Sequence, residues 1–212
     1  MTAAAATAAS LPLVMFDTNV LFDYFLGRDP DVHLVATLSR RKLDIRIPEF
    51  VLLEFRGSIL KELGAKERAL GDVRRLAAEL DRADRWMSGV DKLRSGCELV
   101  AEDIARLRQK IDPFLAAIRR DFDVVVHTQD LHFRGDLRFV QGLPPDEPKR
   151  GVQDCRIFEA VLDIARRDGV PRSRYLLTKD SDFSKKQGVK DELLTVGVEL
   201  VVTAAPLYHQ HA

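Results

Sequence analysis

A run of apolar residues, Leu13-Val14-Met15-Phe16, stops on the carboxylate of Asp17. Four apolar positions bounded by polar ones are too few for a buried helix and read as a strand covered on both faces, as in a parallel sheet. A carboxylate after such a strand lies at the sheet's carboxyl edge, where open α/β folds place their ligands. Thr18 or Asn19 can cap the apolar-periodic segment Val20 to Leu26, so Asp17 sits at a strand-to-helix turn. Taken alone, an Asp there also closes a turn perfectly well. Its meaning depends on whether other acids arrive at comparable places.

They do. Leu43-Asp44-Ile45-Arg46-Ile47 alternates as a short strand, and Pro48 opens a helix in which Glu54 stands between Leu53 and Phe55. Val152-Gln153-Asp154 starts an amphipathic helix that runs to Asp168-Gly169, with Asp154 in its first turn, a place the helix dipole favours for an acid in any case. Arg174 to Thr178 is another short buried strand, and it runs into Lys179-Asp180-Ser181-Asp182. Glu199 to Thr203 reads as a final strand. Parallel neighbouring strands would bring Asp17 and Asp180 side by side, and the flanking helices could add Glu54 and Asp154. Carboxylates within about 4 Å of one another repel by roughly 4 kcal/mol per pair at an effective dielectric near 20. Such a group stays ionised only with a counter-cation. Ligands that are all oxygen select a hard ion, Mg²⁺ or Mn²⁺, and the chemistry such a site supports is attack on a phosphodiester.

Residues 65–120 have a different character. Val73, Leu76, Leu80, Ala83 and Met87, then Leu93, Cys97, Val100, Ile104, Leu107 and Ile111, follow three-and-four spacing, interrupted near Ser88-Gly89 and Ser95-Gly96. This predicts two long antiparallel helices with a turn within 88–96. Phe122 to Thr128 is a short strand or an extended connection, a weak helical pattern follows through Val140, and Pro144 to Gly151 is a loop.

Composition excludes several classes. Lys plus Arg and Asp plus Glu are both 33, so no global basic surface for nucleic acid exists and any such surface is local. Cys97 and Cys155 match no zinc or disulfide spacing and suit a reduced cytoplasm. No run has the length of a membrane span. Residues 1–10 lack the basic start of a signal peptide and read as a disordered leader, and 206–212 as a flexible tail whose His209 and His211 make a poor metal site.

Met15-Phe16-Asp17-Thr18-Asn19-Val20-Leu21, then Glu54 six residues after Pro48, then Gly151 with Asp154 opening a helix, then Leu176-Leu177-Thr178 with Asp180, Asp182 and Phe183 together resemble the four acidic motifs of PIN-domain nucleases, in that family's order. The resemblance implies a PIN-like α/β/α sandwich with a central, mainly parallel sheet over 11–205 and an inserted long helical hairpin. It implies a cytoplasmic Mg²⁺- or Mn²⁺-dependent endonuclease, most often acting on RNA, with DNA left open. Asp17, Glu54, Asp154 and Asp180 match the metal-binding acids, Asp182 an assisting acid, and Asn19 and Thr178 the orienting polar residues. Lys149, Arg150, Lys179 and Arg56 lie beside the acids and are candidate phosphate contacts. The hairpin is longer than in small toxin-type members, and Cys155 follows Asp154 where Ala is common. Two alternatives stand beside the enzyme. One is an inactive PIN-like module that binds RNA or protein through the hairpin; the other is a ribonuclease toxin with an antitoxin partner. A homodimer is compatible with each. An aspartyl phosphatase would want Asp-x-Asp where this chain has Asp17-Thr18-Asn19.

Overall fold

The structure is a computed structural model that describes residues 11–38, 42–82, 87–145 and 151–211. The leader 1–10 therefore lies outside the described residues, as do Lys149 and Arg150. Strand β1 (Leu13–Phe16) is the centre of a five-stranded sheet with β2 (Asp44–Pro48), β3 (Asp123–Val125), β4 (Arg174–Leu177) and β5 (Val198–Val201), in the order β3-β2-β1-β4-β5. All four pairings are parallel. Leu13, Val14, Met15 and Phe16 are wholly buried, which is why a continuous apolar run is tolerated there. Pro48, expected in the first helical turn, instead ends β2, level with Val125.

The chain divides into two compact units, 1–55 with 118–212, and 56–117. In the first, α1 (Thr18–Leu26) follows β1 and ends on Gly27, whose φ of 63° is the left-handed turn that stops a helix. The N-cap is Asp17 itself rather than Thr18 or Asn19. Helix α2 spans Pro30–Leu38. Helix α5 (Gln129–Val140), capped by the Thr128 hydroxyl on Leu131 N–H, packs against α6 (Val152–Arg167). Short helices α7 (Ser181–Lys185) and α8 (Gln187–Thr195) lead to β5. The closing segment, read from sequence as a tail, forms helix α9 (Ala205–His211) against α2, with Leu207 fully buried. One apolar anchor suffices to dock two turns, and seven residues are too few to show a period.

At the amino edge of the sheet, Asp168 accepts from Arg172 at 2.7 and 3.0 Å and from Arg174 at 2.9 Å, and Arg172 also reaches the Leu11 carbonyl at 2.9 Å. Burial pushes the Asp168 carboxyl up, but the two guanidinium groups outweigh it and hold its pKa below the ordinary range. This pins the start of β1 to the start of β4.

The second unit is made from the greater part of α3 (Glu49–Arg82) and α4 (Met87–Asp121). Glu67 meets Arg108 at 2.8 Å, Arg56 meets Asp112 at 3.1 Å, and Asp81 meets Arg94, so the two helices run antiparallel. The turn expected within 88–96 is absent: that stretch is helical, and residues 83–86 between the helices fall outside the described residues. A glycine in a helix costs only about 1 kcal/mol, too little for Gly89 and Gly96 to interrupt a 35-residue helix. The buried seam is also narrower than the pattern suggested. Val90, Cys97, Ile104 and Ile111 recur every seventh residue and are buried, whereas Leu76 and Val100 are exposed.

Gly135 bears on the site indirectly. A Cβ there would stand 2.6 Å from Arg156 Cγ and 2.7 Å from Arg156 Cα, so α5 would have to move off α6, the helix that carries Asp154. Gly135→Ala is expected to destabilise by about 1–2 kcal/mol, overpacking outweighing the gain in helix propensity. The melting temperature should fall by roughly 4 °C. An unchanged value would show that the helices part freely.

Candidate functional site

In an open parallel sheet, ligands bind where the chain reverses the direction in which it adds strands. Here that point lies between β1 and β4. From β1 the chain winds outward through β2 and β3, then returns to lay β4 on the other side of β1. The loops after β1 and β4 diverge there, and their first polar residues are Asp17 and Thr178. Met15 is level with Leu176 and Phe16 with Leu177, so Asp17 and Thr178 emerge side by side.

Asp17 is 3% exposed. Its Oδ1 accepts from the Thr18 backbone N–H at 2.7 Å, and its Oδ2 accepts from the Thr178 hydroxyl at 2.6 Å. The same Thr178 oxygen accepts from the Asp180 N–H at 3.0 Å, so one buried hydroxyl ties two strand-end acids together. Burial pushes the Asp17 pKa up to about 6; the bonds from Thr178 and Thr18 pull it down, and the charges on Glu54 and Asp180 push it up again. Glu54 is half-buried. Its Oε2 accepts from the Thr18 hydroxyl at 2.5 Å, which anchors α3 to the start of α1. Its pKa is raised first by burial and then by Asp154 and Asp180, against the Thr18 bond. Residues 17, 54, 154 and 180 thus share one electrostatic neighbourhood.

The other candidates are placed less centrally. Asn19 lies in the first turn of α1, half-buried. Asp182 lies in α7, and its side chain is outside what the structure describes. Lys179 does not stand as an open cation: it reaches across to Asp23 at 2.5 Å and Asp29 at 2.6 Å, and their charges outweigh burial and raise its pKa. Arg56 is exposed and bonds Asp112. Thr18 is the residue whose part sequence reasoning missed. Its place after Asp17 suggested a cap, and only the tertiary approach of α3 shows that its hydroxyl holds Glu54.

The donor set suits a hard divalent cation. Every candidate ligand is a carboxylate oxygen, two of them have pKa values raised by burial and by neighbouring carboxylates, and a bound positive charge relieves both costs. Among the described residues no three of these groups converge on a single point at ligand spacing, Asp17 being turned to Thr178 and Glu54 to Thr18. Thr178→Val keeps the volume and deletes both bonds. It should cost about 1–3 kcal/mol of stability and weaken divalent-ion affinity by about 10- to 100-fold. Unchanged affinity in a titration would show that Thr178 does not orient Asp17.

A five-stranded parallel sheet flanked by helices, with a buried carboxylate at its switch point, is an α/β/α arrangement. The profile described as PIN domain matches residues 14–183, and the chain belongs to the PIN-domain family, which as a class consists of nucleases. No curated protein matches the chain. A crystal structure of VapBC2 from Rickettsia felis bound to a DNA fragment from their promoter overlays with a TM-score of 0.46 at 12% sequence identity, over 90% of this chain and 99% of that one. No helix among the described residues is long and apolar enough to cross a membrane.

Proposed function

We propose that this chain is a metal-dependent endonuclease that hydrolyses phosphodiester bonds of RNA. The observation that carries the reading is the buried Asp17 at the switch point, wired through Thr178 to the Asp180 backbone and coupled by charge to Glu54 and Asp180. Asp17, Asp154 and Asp180 would hold Mg²⁺ or Mn²⁺, with Glu54 and Asp182 beside them. Bound there, such a cation supplies a more acidic water and neutralises the charge that builds on the phosphate oxygens.

Glu54 is the group suited to take the proton from the attacking water. Its Oε2 is engaged by Thr18, so Oε1 is the atom that would receive the proton. Thr178 keeps the Asp17 carboxylate from turning, and Lys149 and Arg150, just before α6, would contact the phosphate backbone.

Labelled single-stranded RNA incubated with Mn²⁺ tests the reading. The wild type should cut it internally and lose all activity in excess chelator. Equal rates for the wild type and Asp17→Asn would overturn the mechanism.

A further inference from the structure

The acids are not the only polar cluster on the carboxyl edge of the sheet. Glu49 follows β2 and begins α3, while His127 stands two residues beyond β3. The Glu49 Oε2 lies 2.7 Å from His127 Nδ1 and also accepts from the His127 backbone N–H at 3.3 Å. The imidazole is seated against Phe50, with ring centroids 4.8 Å apart and planes 33° apart, and against the edge of His132, also at 4.8 Å. His132 meets Phe50 at the same distance, so three rings form a closed triangle. Phe50 is buried, whereas the His127 side chain is 30% exposed.

A carboxylate only accepts, so the short contact places a hydrogen on His127 Nδ1 and leaves Nε2 as the second polar atom. Nε2 has no protein partner among the described residues and is not a buried unpaired atom. The ring is therefore fixed in tautomer, plane and position, with one hydrogen-bonding atom turned out.

The cluster lies beside the acids. Met15 is level with Arg46, which carries Asp17 level with Pro48, and Pro48 is level with Val125. His127 is thus displaced from Asp17 by two strand spacings and by two residues along the strand direction, about 12 Å in all. Glu49 and Glu54 are five residues apart on one helix, a rise of roughly 7 Å. That interval puts His127 within reach of a nucleotide flanking the one being cut.

We infer that His127 Nε2, aimed by Glu49, hydrogen-bonds a ribose 2′-hydroxyl of a nucleotide flanking the scissile bond and so selects RNA over DNA. The inference rests on the nuclease reading above. A 2′-hydroxyl both donates and accepts, so it pairs with Nε2 whether or not the ring is protonated. A phosphate oxygen needs the protonated ring and would approach Glu49, which already sits 2.7 Å from the imidazole. The other charged groups facing the cluster come from α5 and α6: Arg156 bonds Asp136 at 2.7 Å, and burial, then Arg156 and His127, depress the His132 pKa against the charge of Asp136. Glu49 is a positioning residue here, and His127 the contact.

The test is cleavage with Mn²⁺ of one RNA oligonucleotide, of versions carrying a single 2′-deoxy nucleotide at each position flanking the mapped cut, and of the DNA of the same sequence. The enzymes compared are the wild type, His127→Phe, which keeps the ring packing, and Glu49→Ala. One 2′-deoxy position should lower wild-type kcat/KM by about fivefold, the worth of one hydrogen bond. His127→Phe should cut the all-ribose and that substituted oligonucleotide at equal rates, with the melting temperature lowered by no more than a few degrees by the lost Glu49 bond, and Glu49→Ala should lose most of the discrimination. Equal loss on both substrates in His127→Phe would mark a phosphate contact or a structural role and overturn the inference. Wild-type discrimination that survives in His127→Phe would overturn it as well. A wild type that cuts RNA and DNA alike leaves the nuclease reading standing and removes this one. A wild type that cuts neither removes both.

Discussion

Asp17→Asn, freed of metal with chelator at pH 7.5, is expected to melt about 5 °C above the wild type while losing nuclease activity by at least about 100-fold. The two effects have one cause. The folded pKa of about 6 lies above the ordinary 3.8, so the folded chain binds this proton more tightly than the unfolded chain does. Where the folded state holds more protons, stability falls as pH rises. The penalty is therefore absent below about pH 4 and complete above about pH 6, where a shift of this size is worth roughly 3 kcal/mol. An amide carries no charge to desolvate. It keeps an acceptor for the Thr18 N–H but disturbs the bond from Thr178, which returns about 1 kcal/mol of the gain. Melting curves at pH 4 and pH 7.5 check the sign: the variant's advantage should vanish at the lower pH. A variant less stable than the wild type at both would show that the Asp17 charge is stabilised in the fold rather than tolerated for function.

Arg138→Met is expected to lower stability by about 3–4 kcal/mol, because it leaves the buried Glu159 with a 3.7 Å contact from Arg134 in place of a close hydrogen bond. Arg138, 6% exposed, donates from Nε to Glu159 at 2.7 Å, forks onto both oxygens of Glu192 at 2.9 and 2.7 Å, and reaches the Pro144 carbonyl at 2.6 Å. Its guanidinium also lies 4.8 Å from the centre of the Phe158 ring. Burial alone would lower its pKa, but Glu192 and Glu159 outweigh this and raise it. One side chain thus joins α5, α6, α8 and the loop at Pro144. Glu192 can turn to water when the arginine is lost; Glu159, 7% exposed, cannot. The melting temperature should fall by roughly 10 °C. Replacing Glu159 by Leu in the same chain should restore most of it, since a buried ion pair exchanged whole for apolar groups is often neutral. A double variant as unstable as the single one would place the loss in packing instead.

The parts of this molecule legible in the sequence are those set by local pattern. Leu13 to Phe16 and Tyr175 to Leu177 are apolar runs that end on polar residues, and both are central strands with acids at their tips. Helix α6 announces itself by Gly151 before it and by its spaced apolar residues. What stayed hidden depends on partners distant in the chain. β3 is one exposed and two half-covered residues whose strand character comes from pairing with β2. Thr18 acquires its second bond only because α3 passes over it, and nothing near Arg138 foretells Glu192. The site reads more clearly than the scaffold because the strand-to-loop position of Asp17 and Asp180 is itself a local signal. Glu54 and Asp154, embedded in helices, had only the family pattern to single them out.

Residues 17, 54, 154 and 180, remote along the chain, are held to form one divalent-cation site. A crystal soaked in Mn²⁺ and measured at the manganese absorption edge addresses that directly. An anomalous peak bound by Asp17 together with at least two of Glu54, Asp154 and Asp180 is the predicted result. Strong manganese peaks elsewhere with none at the β1 and β4 tips would contradict it.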